Sequence, residues 1–245
     1  MSIKEINYCI DAGNTQIKVA CFKQDTFFSL QKFTFDELIN NPKVIFEINQ
    51  ARSTILSSVL TKEKTNQLLA LFSKVILLQH NHFSHLKMRY KTPETLGADR
   101  MCNAAYAMKK NKGKGALVVD VGTCIKFDFV NPDNEYIGGS ISPGVGLRYK
   151  AMNDFTAKLP LLDKTTRTNL IGQSTEQSMH SGVINGIQSE ITEMINQYQM
   201  KYDGLTTFMT GGDADLFDIP LKNSIFVHEN LTLEGLHIIL KKHAD

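Results

Sequence analysis

A chain of 245 residues with 42% hydrophobic and 21% charged side chains has an ordinary globular balance, and enough length for one large domain or two modest ones. Its 27 basic and 25 acidic residues leave a formal net charge of +2 without a basic tract, which argues against nucleic-acid binding. No apolar run approaches the roughly 20 residues of a membrane helix, and the start, MSIKEINYCID, has no signal-peptide core, so a cytoplasmic protein without a membrane partner is expected.

In chain order, short β-branched or aromatic runs predict strands at Asn7–Asp11, Ile17–Phe22, Thr54–Val59 and Val75–Leu78. Further strands are predicted at Ala116–Val121, Ile125–Val130, Thr206–Thr210 and Ser224–Val227. Apolar residues at spacings of three and four predict helices at Thr61–Ser73, Gly97–Lys110, Thr175–Tyr198 and Thr232–His243. Strand hairpins alternating with helices argue for an α/β protein with mixed sheets. No Pro/Ser-rich linker interrupts the pattern, so a division into 1–105 and 106–245 falls within the helix at 97–110.

One long-range repeat stands out. DAGNTQIKVACF begins at Asp11 and DVGTCIKFDF at Asp120, each an apolar strand, then Asp-x-Gly, Asn or Thr, and a second strand carrying a lysine. The strand fixes the carboxylate at a sheet end, and the glycine lets a ligand approach the backbone. Asn14, Thr15 and Thr123 add side-chain donors beside turn amides, a combination suited to phosphate oxygens. A carboxylate at such a turn suits a hydrated Mg²⁺, and Lys18 suits a polyphosphate. A single Asp-Gly turn is ordinary hairpin chemistry. Two with one grammar suggest a duplicated fold holding a nucleotide between two lobes. Neither a P-loop nor a dinucleotide fingerprint is present.

At TPETLGADRMCNAAYA, Asp99 and Arg100 fall at the start of a helix. The helix dipole favours the acid there but not the arginine, which suggests an anion for Arg100. Such a pair suits deprotonation of an alcohol while an acid on the same molecule is clamped. The glycine-rich stretch from Tyr136 to Pro160 reads as a loop ahead of a helix, and TGGDADLF at Thr210–Phe217 as a strand end before a short helix. Cys9, Cys21, Cys102 and Cys124 lack metal or redox spacing and read as small apolar residues. His80, His82 and His85 are close enough for a transition metal but read as a solvated loop.

Taken together, Asp-x-Gly-Asn-Thr-x-x-Lys at 11–18, Gly-x-Asp-Arg at 97–100 and Asp-x-Gly-Thr at 120–123 resemble the type III pantothenate kinases. Gly-Gly-x-Ile-x-Pro-Gly at 138–144 and Thr-Gly-Gly at 210–212 extend the resemblance over nearly the whole chain, in the right order. The resemblance implies a duplicated actin-like, ribonuclease H-like ATPase fold: two lobes with mixed sheets and a central cleft. It implies phosphorylation of pantothenate by ATP, the first step towards coenzyme A, with Mg²⁺, a monovalent cation (K⁺ or NH₄⁺) and a homodimer. Carried over, Asp11, Ala12, Gly13, Asn14, Thr15, Gln16, Ile17, Lys18 and Thr123 bind ATP, with Asp11 also reaching Mg²⁺ through water. Asp99 accepts the hydroxyl proton, and Tyr90, Gly97, Ala98, Asp99, Arg100 and Thr175 contact pantothenate, Thr175 across the dimer. Asp120 holds the monovalent cation. Cys124 and Lys126 stand where the family usually has Ala and Thr, and Lys126 adds a charge near the expected cleft. The competing readings are another phosphotransferase of the superfamily and a non-catalytic regulator; the intact acids at 11, 99 and 120 oppose the second.

Overall fold

A computed structural model describes residues 6–84, 86–219 and 225–243. The chain divides into two compact units. One comprises Met1–Leu86, Thr92–Tyr106 and Leu231–Asp245, the other Lys87–Lys91 and Ala107–Asn230.

The first unit is built on a five-stranded sheet of β1 (Ile6–Ala12), β2 (Ile17–Lys23), β3 (Thr26–Phe33), β4 (Ser53–Ser58) and β5 (Val75–Leu77), ordered β3-β2-β1-β4-β5. β1–β2 and β2–β3 pair antiparallel, whereas β1–β4 and β4–β5 pair parallel. Strict alternation sends Tyr8, Ile10, Ala12, Ile17, Val19 and Cys21 to one face, where Leu38, Val44, Ile48 and Leu68 complete a core. Those four come from α1 (Phe35–Ile39), α2 (Pro42–Asn49) and α3 (Lys62–Leu71). Each Ile or Leu removed fully from water there contributes about 1.5–3 kcal/mol. Local chemistry starts each helix: a Thr34–Glu37 capping box for α1, Asn41 followed by Pro42 for α2, and Thr61 for α3. α7 (Leu231–His243) packs on β1 and β4, with His237 stacked on Phe22 at 4.0 Å between ring centroids.

The second unit repeats this plan. Its strands are β6 (Ala116–Val121), β7 (Cys124–Val130), β8 (Tyr136–Pro143), β9 (Thr206–Thr210) and β10 (Ile225–Val227), and the sheet order is β10-β9-β6-β7-β8. Again the first three strands meander antiparallel and the last two add in parallel. β6 therefore stands where β1 stands, and the duplication expected from the two Asp-x-Gly stretches is present strand for strand. Leu117, Val119, Val121, Ile125, Phe127 and Phe129 form the inner face of this core. They pack with Val145 and Tyr149 of α5 (Val145–Asp154) and with Val183, Ile187, Ile191 and Ile195 of α6 (Thr175–Lys201).

The remaining helix, α4, spans Ala98–Lys110, and Met101, Cys102, Ala104 and Ala105 on it are buried. The stretch from Tyr136 expected as a loop is strand β8 up to Pro143, with α5 following directly. Its glycines mask the strand signal because they carry no side chain to alternate. All four cysteines are free thiols; Cys9, Cys21 and Cys102 are buried and Cys124 partly so.

Candidate active site

In the first unit the β1–β2 hairpin carries the first acidic turn. Asp11 stands opposite Lys18 and Ala12 opposite Ile17, and Gly13–Gln16 close the turn with the Gly13 amide donating to the Gln16 carbonyl at 3.1 Å. The parallel neighbour steadies the strand end, since the Val59 amide donates to the Ala12 carbonyl at 3.1 Å. Ala12 and Ile17 are buried and anchor the turn, while Asn14, Thr15 and Gln16 are exposed. The turn thus offers polar groups to solvent from a fixed base. Lys18, on the face opposite the core, makes no ion pair among the described residues and keeps its ammonium available to an anion.

The same unit holds the start of α4. Gly97 precedes the helix and is exposed, Ala98 and Asp99 are half-buried, and Arg100 is 5% exposed. The Arg100 amide donates to the Asp99 carboxylate at 2.8 Å, which fixes one oxygen against the helix N-terminus. A Cβ on Gly97 would lie 2.6 Å from that same oxygen, so the glycine leaves the carboxylate the room it occupies. Asp11 and Asp99 both act on Cys102: burial first, then the Asp11 and Asp99 charges, push its thiol well above the usual range. Two carboxylates predicted from stretches almost ninety residues apart therefore share one neighbourhood.

In the second unit the β6–β7 hairpin carries the other acidic turn. Asp120 is paired in register with Lys126 and Val121 with Ile125, and the Gly122 amide donates to the Cys124 carbonyl at 3.1 Å. Thr123, at the tip, is exposed. The Lys126 ammonium lies 2.8 Å from Asp120 Oδ2, and both side chains are largely sequestered, at 15% and 11% exposure. Two further segments hold this turn. Gly144, just ahead of α5, donates its amide to the Thr123 carbonyl at 3.0 Å, and a Cβ there would fall 2.2 Å from the Gly122 carbonyl oxygen. The Thr210–Gly212 stretch ends β9, and the Asp213 amide behind it donates to the Val121 carbonyl at 2.9 Å. Lys164 clamps Asp213 through both carboxylate oxygens, at 2.6 and 2.7 Å.

Tyr90 belongs to this second unit and packs beside Tyr136, with ring centroids 5.9 Å apart. The Tyr136 hydroxyl donates to the fully buried Asp128 carboxylate at 2.8 Å. Thr175 is exposed at the first position of α6, just past the Ser174 cap, and the preceding Leu170 and Ile171 are exposed as well. Sequence reasoning did not find the Asp120–Lys126 pairing, although the alternation on β6 and β7 holds the signal: it puts both on the face away from the core. Nor did it find the Tyr136–Asp128 bond, which no motif announces. His80 and His82 lie in a short 3₁₀ turn, and His85 falls outside the described residues. No cluster of three or more metal-ligating side chains occurs among the described residues. Nor is any helix long and apolar enough to cross a membrane among them.

With this geometry in view, the model of the type III pantothenate kinase family matches residues 7–197. A type III pantothenate kinase of Christiangramia forsetii is 42% identical over 241 residues, 96% of this chain and 98% of that one. Among solved structures, a Campylobacter jejuni protein described as a candidate transcriptional activator of the Baf family superposes with a TM-score of 0.64 at 20% identity. The match covers 96% of this chain and 98% of that one. An inorganic polyphosphate/ATP-glucomannokinase from Arthrobacter gives 0.50 at 11% identity, over 98% of this chain and 100% of the other. At such identities these two structures speak for fold alone. The duplicated, actin-like α/β fold expected from the motifs is borne out.

Proposed function

Because the chain belongs to the type III pantothenate kinase family, it phosphorylates pantothenate with ATP at the head of coenzyme A biosynthesis, and we propose that named residues of its two units divide this work. The observation that carries the reading is the match along nearly the whole chain, which has acids at 11, 99 and 120 within the motifs that carry the resemblance.

Phosphoryl transfer passes through a loose transition state, so the protein's task is to position the partners and neutralise charge. The exposed Asn14–Gln16 turn takes phosphate oxygens through amides and side chains, with Asp11, Ala12, Gly13 and Ile17 shaping it and Lys18 adding positive charge. Thr123, exposed at the tip of the second unit's hairpin, is likewise assigned to ATP. Asp11 fits a divalent ion: a single strand-end carboxylate beside a polar turn is what a largely hydrated Mg²⁺ takes from a protein. Bound there with ATP, such an ion would supply positive charge against the phosphates.

Asp99 receives the proton of the pantothenate hydroxyl. A carboxylate is far too weak a base to ionise an alcohol beforehand; it orients the hydroxyl and takes the proton as the bond to phosphorus forms. The Arg100 amide holds one Asp99 oxygen at the helix N-terminus and so orients the carboxylate. Gly97, Ala98 and Arg100 are assigned to the substrate's own carboxylate, Tyr90 to a contact with pantothenate, and Thr175 to one made from the partner of a homodimer. The exposed Leu170 and Ile171 ahead of Thr175 support that last assignment, as apolar surface a second copy would cover.

The monovalent cation expected at Asp120 is a different case. The Lys126 ammonium already stands on Asp120 Oδ2, so the residues present do not fit a free cation there.

The test is pantothenate-dependent ADP release from MgATP by the purified chain, compared with Asp99→Asn. The parent turns over; the variant binds pantothenate but loses at least about 100-fold in kcat. Near-normal turnover in the variant rejects the role of Asp99, and a parent without pantothenate-dependent turnover rejects the kinase.

A further inference from the structure

In both hairpins the aspartate two residues before the turn glycine stands opposite a lysine, Asp11 against Lys18 and Asp120 against Lys126. Directly opposed residues of antiparallel strands project from the same face, with Cβ atoms about 4.5–5.5 Å apart. The register alone therefore brings each ammonium within reach of its carboxylate. The two hairpins differ in the outcome. Lys18 forms no ion pair among the described residues, while Lys126 closes on Asp120 at 2.8 Å.

The Asp120 pair is not an ordinary surface bridge. Solvent reaches little of either side chain, so salt screens the attraction weakly. The carboxylate sits three residues ahead of the exposed Thr123, at the base of the turn assigned to the nucleotide. A positive charge is what such a place requires when anionic phosphates approach.

We propose that Lys126 is the built-in cation of this turn, and that catalysis by this chain therefore needs no free monovalent cation. This rests on the kinase reading above. An alkylammonium head, an ammonium ion and a potassium ion carry one charge and are of similar size. A free ion at Asp120 would have to expel the tethered one or sit beside it, and like charges in a partly dry site repel. The tether gives Lys126 a further advantage, because an intramolecular group forgoes the translational entropy a dissolved ion loses on binding.

The experiment has two arms. In the first, the full chain is assayed with MgATP and pantothenate in a tetramethylammonium buffer, then with added KCl or NH₄Cl at about 100 mM, where bulk screening is already strong. Parent turnover is expected to change by less than about twofold, whereas Lys126→Thr falls at least about tenfold without the salts and recovers with K⁺ or NH₄⁺. Parent activity stimulated about tenfold or more by K⁺ overturns the proposal, as does a Lys126→Thr chain that matches the parent in the cation-free buffer. In the second arm, thallium(I) NMR of the MgADP-bound chain reads cation binding without turnover. Thallium that broadens on the parent and is displaced by K⁺ overturns the proposal; broadening confined to Lys126→Thr or Lys126→Met supports it. A parent inactive in every salt condemns the kinase reading, and the thallium arm still decides the role of Lys126.

Discussion

Gly97→Ala is a change of one methyl group beside the group assigned as proton acceptor. The new Cβ would lie 2.6 Å from Asp99 Oδ1, where ordinary contact begins at 3.4 Å, so the carboxylate must retreat by about 0.8 Å. The clash is with the tip of a side chain rather than with backbone, so the fold absorbs it by turning Asp99. Its stability cost is the strained or lost bond from the Arg100 amide, about 0.5–1.5 kcal/mol. Part of that is offset by about 0.4–1 kcal/mol, because alanine restricts the unfolded chain more than glycine does. Catalysis is less forgiving: a reacting group misplaced by about 1 Å can lose about 100-fold. The expected result is a kcat about 30- to 100-fold lower, equivalent to about 2–3 kcal/mol of barrier, with a melting temperature within about 4 °C of the parent. Coupled ADP-release kinetics and a thermal melt measure the two. Full kcat in a folded variant, or a loss carried wholly by KM, would refute the idea that Asp99 acts from this rotamer.

Tyr136→Phe removes the hydroxyl that donates to Asp128 Oδ1 in a fully buried pair. Urea unfolding should show a loss of about 1–3 kcal/mol with an unchanged m-value, and a loss under about 0.5 kcal/mol would mean the carboxylate does not depend on this donor. Alkaline pH acts through Tyr106, whose phenol is pushed up to about 12 by burial and, less, by the Glu234 charge. The unfolded phenol releases its proton near pH 10, so between about pH 10 and 12 the unfolded state binds fewer protons and stability falls, by up to about 3 kcal/mol. This contribution is complete below pH 10 and lost by pH 12. Tyr106→Phe should flatten that part of the stability profile relative to the parent, and identical profiles would show that Tyr106 does not titrate as its burial requires.

The strands and helices that the chain displays through its own period are legible in the order of its residues. The two Asp-x-Gly hairpins stand out because a β-branched strand, an acid and a glycine occur twice in one order, and α6 shows itself by its apolar stripe. What escapes such reading is each feature whose signal is not local. β8 hides behind Gly138 and Gly139, and β3 is an edge strand with no fully buried residue, so neither shows the expected alternation of apolar side chains. α1 and α2 are too short to establish a period, and only their caps mark them. At the candidate site, the motifs that single out Asp11, Asp99 and Asp120 for their proposed roles are readable. The effect of Gly97 on the Asp99 rotamer and the closure of Lys126 on Asp120 are not, because both depend on distances the chain order does not encode.

Helix α7 has a consequence for how the protein is made. It supplies Leu231, Leu233, Leu236 and Leu240 to the unit that opens with β1, and its Gly235 passes so close to Cys102 that a Cβ would meet the carbonyl oxygen at 2.0 Å. β1 and β4 must therefore wait, with one apolar face uncovered, until the chain through α7 has been translated. The intervening unit, contiguous from Ala107 to Asn230 apart from a five-residue outlier, is free to fold first. Nascent chains halted before Leu231 should accordingly be the ones that chaperones hold and proteases clear.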